Sequence, residues 1–70
     1  MRYSDRALGH LVDRGFTKAA VEAVVARPAR GIYLPKARDR REHFGYAADG
    51  RLLNVVTDRA VTVVISVVEQ

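Results

Sequence analysis

The chain has 70 residues, enough for one domain (1–70), and its apolar fraction of 49% is too high for a disordered segment. It has no cysteine, which excludes disulfides and thiolate metal sites and fits a reducing cytoplasm. The net charge is +4, and its excess is local: Arg27, Arg30, Lys36, Arg38, Arg40 and Arg41 oppose only Asp39, a balance of +5 between residues 27 and 41.

Such a cluster suits a polyanion such as RNA or an acidic protein tail, and equally a solvated loop. The segment Arg2–Arg6 has no apolar signal core, and "VTVVISVV" (61–68) is too short to span a bilayer. A soluble, cytoplasmic protein without a membrane partner is expected. Two histidines without a repeated carboxylate pattern argue against a metal, and no cofactor is expected.

In chain order, "MRYS" (1–4) reads as a short strand. Ser4 is placed to cap a helix, with Asp5 in the first turn, where the helix dipole favours an anion. Ala7, Leu8, Leu11 and Val12 recur at helical spacing as its apolar face. Arg6, His10 and Arg14 lie off that face, four residues apart, in one stripe. Gly15 follows the last turn, and Thr17 caps a second helix. Its buried face is Ala20, Val21, Val24 and Val25, it runs to about Arg27, and Pro28 stops it.

The period then changes to 2. "RGIYL" (30–34) has strand character and ends at Pro35. In "REHFGYAA" (41–48), Glu42, Phe44 and Tyr46 share one side, while Arg41, His43 and Gly45 share the other. Asp49-Gly50 is the strongest hairpin signal, with "LLNVVT" (52–57) as the returning strand. "DR" (58–59) reads as a tight turn before a last strand, "AVTVVISVV" (60–68), apolar on both faces. The order is β-α-α-β-β-β, an α+β fold with two N-terminal helices packed on an antiparallel sheet. Val21, Val24, Phe44, Val55, Val63 and Ile65 are the expected core.

The stretch from Tyr3 to Thr17, "YSDRALGHLVDRGFT", runs without a gap along a pattern close to Y-[ST]-x-H-A-x-x-R-M-x-x-R-G-[IF]-[ST]. With the Val-rich second helix, the basic strand ending in an aromatic and the terminal Val/Ile strand, the chain resembles the RelE-like toxin superfamily. More narrowly, it looks like the small BrnT-type toxins and their uncharacterised relatives. Where the pattern has His this chain has Arg6, and where it has Arg this chain has His10. Many RelE-like toxins carry Tyr or Arg near the chain end, where this chain has "SVVEQ".

The resemblance implies a RelE-like fold and the toxin of a toxin–antitoxin pair, cleaving RNA without a metal. The RNA would include mRNA on the ribosome, and an acidic antitoxin would hold the toxin in check. Such cleavage needs a base for the 2′-OH, an acid for the leaving oxygen and cations at the phosphate. His10 and His43 are the candidates for proton transfer, with Arg14 and Arg41 stabilising charge. Arg6, Lys36, Arg38 and Arg40 are candidates for holding RNA, and Tyr46 for stacking a base. Read from the residues alone, His10 also suits a helix surface, His43 a structural position and Tyr46 the core. Two other functions stay open: a non-catalytic module of the same fold that binds nucleic acid or an acidic protein, and a structural subunit. Exposed sheet edges further suggest a homodimer or a tight complex.

Overall fold

A computed structural model describes residues 1–27, the backbone of 30–33, and residues 39–70. The expectations on Pro28, Pro35, Lys36 and Arg38 lie outside these residues. The elements are β1 (Arg2–Tyr3), α1 (Asp5–Arg14), α2 (Lys18–Ala26), β2 (Arg30–Tyr33), β3 (Arg40–Tyr46), β4 (Leu52–Asp58) and β5 (Val63–Glu69). The fold is α+β, with the helices first.

The helix signals act as the sequence suggests. Ser4 Oγ accepts the Ala7 N–H at 3.0 Å and Thr17 Oγ1 accepts the Ala20 N–H at 3.1 Å, so each helix begins on a side-chain cap. Asp5 sits in the first turn of α1 and Arg14 in the last, both favourable to the dipole. The buried stripe of α1 is narrower than expected. Ala7 and Leu11 are buried, whereas Leu8 is 38% and Val12 83% exposed. The helix lies against β5 and β1 at one side of the sheet, so a single i, i+4 stripe meets protein. In α2, Val21 and Val24 are buried, as expected.

The five strands form one sheet in the order β1-β5-β4-β3-β2, one strand more than the β-α-α-β-β-β order counts. The sheet is mixed rather than antiparallel. β2 to β5 form an antiparallel meander, while β1 pairs with β5 in parallel. Both helices separate β1 from the meander, so no hairpin dictates its direction.

Both helices cover one face. There Ala7, Leu11, Phe16, Val21 and Val24 pack with Leu53, Val55, Val64 and Val67 in one core. Gly45 permits the close approach of α2 to β3, because a Cβ there would lie 3.0 Å from Val24 Cγ1. The β3–β4 loop turns through Gly50 at φ 91°, a conformation that side chains resist.

Two strand expectations need correction at β5. The strand starts at Val63 rather than residue 60, because Asp58 bridges the preceding turn. Its carboxylate accepts the Thr62 N–H at 2.6 Å, the Val63 N–H at 2.9 Å and the Thr62 hydroxyl at 2.5 Å. A β-bulge then interrupts the register: Val56 pairs with Ser66 and Thr57 with Val64, leaving Ile65 as the extra residue. The bulge shifts the inward positions to Val64 and Val67, so Val63 and Ile65 are only half-buried. Phe44, expected in the core, is half-buried on the face away from the helices. Among the described residues, no helix is long and apolar enough to cross a membrane.

Candidate nucleic-acid interface

The two histidines lie on the helix side, and each is engaged in the framework. Only two residues of β1 pair with β5, so the Val67 N–H further along finds its acceptor on α1 instead: His10 Nδ1, at 3.2 Å. That bond assigns the ring proton of neutral His10 to Nε2. His43, only 6% exposed, places Nε2 2.9 Å from Thr57 Oγ1. The Thr57 hydroxyl donates to the Asp58 carbonyl at 2.9 Å, which leaves its oxygen to accept from His43 Nε2–H. Burial, with the Arg41 guanidinium nearby, lowers the His43 pKa below its ordinary 6.5.

The register sets the spacing between the histidines. His43 pairs with Val55 and Val55 with Val67, so the row from His43 to the His10 contact spans two strand spacings, about 10 Å. Buried Val55 and Val67 lie between. The Arg6–His10–Arg14 stripe is likewise divided, with Arg6 and Arg14 exposed and His10 half-buried against β5.

The opposite face of the sheet has a different character. Strand alternation places Arg40, Glu42, Phe44 and Tyr46 there from β3, and Leu52, Asn54, Val56 and Asp58 from β4. Tyr46 is 67% exposed and Val68 42%. Among the described residues Tyr46 makes no hydrogen bond or ring contact, so ring and hydroxyl both face solvent. At the other end of β3, exposed Arg40 pairs in register with Asp58, whose carboxylate binds the Val63 N–H, and Val63 pairs with Arg2. One end of the face thus carries Arg40 and Arg2 beside the Asp58 carboxylate, and the other is aromatic and apolar at Tyr46, Leu52 and Val68. Arg41 belongs to the helix side with His43 and is half-buried. Lys36 and Arg38 lie outside the described residues. Of the candidate residues, the structure therefore groups Arg40 with Tyr46 on one face and Arg41 with His43 on the other.

Sequence reasoning passed over Arg51. Its Nε donates to Asp49 Oδ2 at 2.7 Å, its Nη1 donates to the Arg14 carbonyl at 2.9 Å, and its guanidinium lies 4.3 Å from the Phe16 ring centre. It ties the β3–β4 loop to the end of α1 and borders an open cleft of about 180 Å³ with Gly15, Phe16, Ala20 and Ala47. The Asp49-x-Arg51 spacing is its only local signal; the Phe16 and Arg14 contacts come from distant chain. Tyr3 is also framework. Burial and the hydrogen bond it donates to Glu22 push its phenol pKa up.

No group of three or more potential metal ligands occurs among the described residues. Comparison with protein-family models, curated proteins and solved structures found no match to this chain.

Proposed function

We propose that this chain is an RNA-binding module that takes single-stranded RNA on the sheet face opposite its helices. One observation carries the reading: Tyr46 stands 67% exposed and unengaged on that face, on the same strand and side as Arg40. Single strands are held by aromatic rings that stack bases beside cations that follow the phosphates. The sequence from Arg27 to Arg41 carries the chain's excess positive charge, and its Arg40 opens β3 on that face. The sequence resemblance supplies the setting, a RelE-like toxin–antitoxin pair in which an acidic antitoxin covers the basic surface. Titration of labelled single-stranded and duplex RNA tests the reading. Tighter binding of the single strand, weakened by Tyr46→Ala, is expected; equal binding of duplex, or no effect of the substitution, contradicts it.

The endoribonuclease reading is favoured by a separate observation, the neighbouring pair Arg41 and His43. A histidine held neutral at pH 7 beside a guanidinium has the make-up of a base next to a charge stabiliser. In this reading His43→Gln abolishes cleavage of RNA, and a 2′-deoxy nucleotide at the cleaved position blocks it. Cleavage that survives both changes excludes it.

A further inference from the structure

On the sheet face opposite the helices, Asn54 Nδ2 donates to Glu42 Oε1 at 2.8 Å. Among the described residues this is the one hydrogen-bond partner of the half-buried Glu42 carboxylate. Asn54 Oδ1 is buried and has no hydrogen-bond partner. Asn54 Oδ1 is enclosed and out of a ligand's reach, so the acceptor the pair presents is Glu42 Oε2, which has no hydrogen-bond partner among the described residues. Its position is informative. Asn54 pairs in register with Phe44, and the next outward position along each strand is occupied by Tyr46 and Leu52. In the other direction along β3, the outward residue after Glu42 is Arg40.

We infer that Glu42 and Asn54 form a base-reading site for guanine. The inference rests on the RNA-binding reading above and specifies its ligand. Among the four bases, guanine alone offers two adjacent donors, N1–H and the N2 amine, on the edge that a single strand exposes. A carboxylate accepts such a pair in parallel, the stronger kind of charge-assisted hydrogen bonding. Adenine and cytosine offer one amine beside an acceptor, which would face the carboxylate unfavourably, and uracil offers a single N–H between two carbonyls. Asn54 holds the Glu42 carboxylate in place through Oε1, and a neighbouring base stacks on Tyr46. Arg40, exposed at the far end of the same strand, receives a phosphate.

The test measures binding of short single-stranded oligoribonucleotides that differ at one central base: guanine, inosine, which lacks the N2 amine, or adenine. The wild-type protein should prefer guanine over adenine by about 10-fold or more, the range of one good bidentate base contact. Inosine should fall between the two, and Glu42→Gln should bring guanine and adenine close to parity while Tyr46-dependent binding persists. The inosine comparison uses the unaltered protein, so a folding defect in the variant cannot imitate the result. Equal affinity for guanine and adenine, or a preference that survives Glu42→Gln, overturns the guanine site and leaves RNA binding standing. Absence of binding to any of the three overturns both.

Discussion

His10 Nδ1 accepts the Val67 N–H at 3.2 Å, and this bond fastens the middle of α1 to the strand edge that β1 leaves uncovered. The histidine of the α1 stripe is thus a framework residue. His10→Ala should cost about 1 kcal/mol, the net worth of a hydrogen bond, and lower the melting temperature by roughly 4–8 °C in a domain of this size. RNA affinity should stay at the wild-type level. An unchanged melting temperature with lost RNA binding would reverse this assignment.

His43 gives the fold a dependence on pH whose sign follows from its lowered pKa. The unfolded chain takes up a proton near 6.5, while the buried ring in the folded chain does not, so protonation favours unfolding. Stability should be level above pH 6.5 and decline as the pH falls below it. Asp49 and Asp58 contribute only further down. Asp49 is held below the ordinary 3.8 chiefly by the Arg51 N–H, and Asp58 chiefly by the Thr62 hydroxyl, so their share is lost as the pH drops through that range. Denaturant midpoints between about pH 7.5 and about pH 5 should slope for the wild type and flatten for His43→Gln. An equal slope in both proteins would show that His43 is not the titrating group.

The bulge at Ile65 redistributes the cost of core truncation. Leu53, fully buried beneath the helices, should lose about 2–5 kcal/mol on replacement by Ala. Ile65→Ala, at a half-buried bulge position, should cost clearly less than Leu53→Ala, although its side chain is as large. Denaturant titration of both variants checks the order, and the reverse order would mean that β5 pairs in an unbroken register.

Val61 adopts φ 58° in the β4–β5 turn, the left-handed region that a β-branched residue disfavours. Val61→Gly should remove roughly 1 kcal/mol of backbone strain and raise the denaturant midpoint. A lower midpoint would show that the Val61 side chain contributes more through packing than its backbone loses.

These results separate what local sequence encodes from what it leaves to the tertiary fold. Ser4, Thr17 and the Asp49-Gly50 turn act within three residues of themselves, and each was legible. Val21, Val24 and Val55 were legible as core through their spacing. The exposure of Val12 was not, because the width of a buried helix stripe depends on what the helix lies against. The bulge at Ile65 and the direction of β1 depend on pairing with distant strands. At the site, the alternation in "REHFGY" separates His43 from Tyr46 correctly. Which side the helices cover is decided elsewhere, by α2 seated over Gly45. The bonds of His10 to Val67 and Arg51 to Arg14 join residues 57 and 37 positions apart, beyond the reach of any local pattern.

The central claim is that RNA lies on the sheet face opposite the helices. It is tested most directly by the affinity of one single-stranded RNA for Tyr46→Ala and for Arg6→Ala, measured beside the wild type at fixed salt. Tyr46 stands exposed on that face and Arg6 on the outside of α1. The account predicts a loss of about 5- to 150-fold for Tyr46→Ala, the range for one lost base-stacking contact, and little change for Arg6→Ala. Wild-type affinity in Tyr46→Ala with a large loss in Arg6→Ala would contradict it and move the RNA to the helix side.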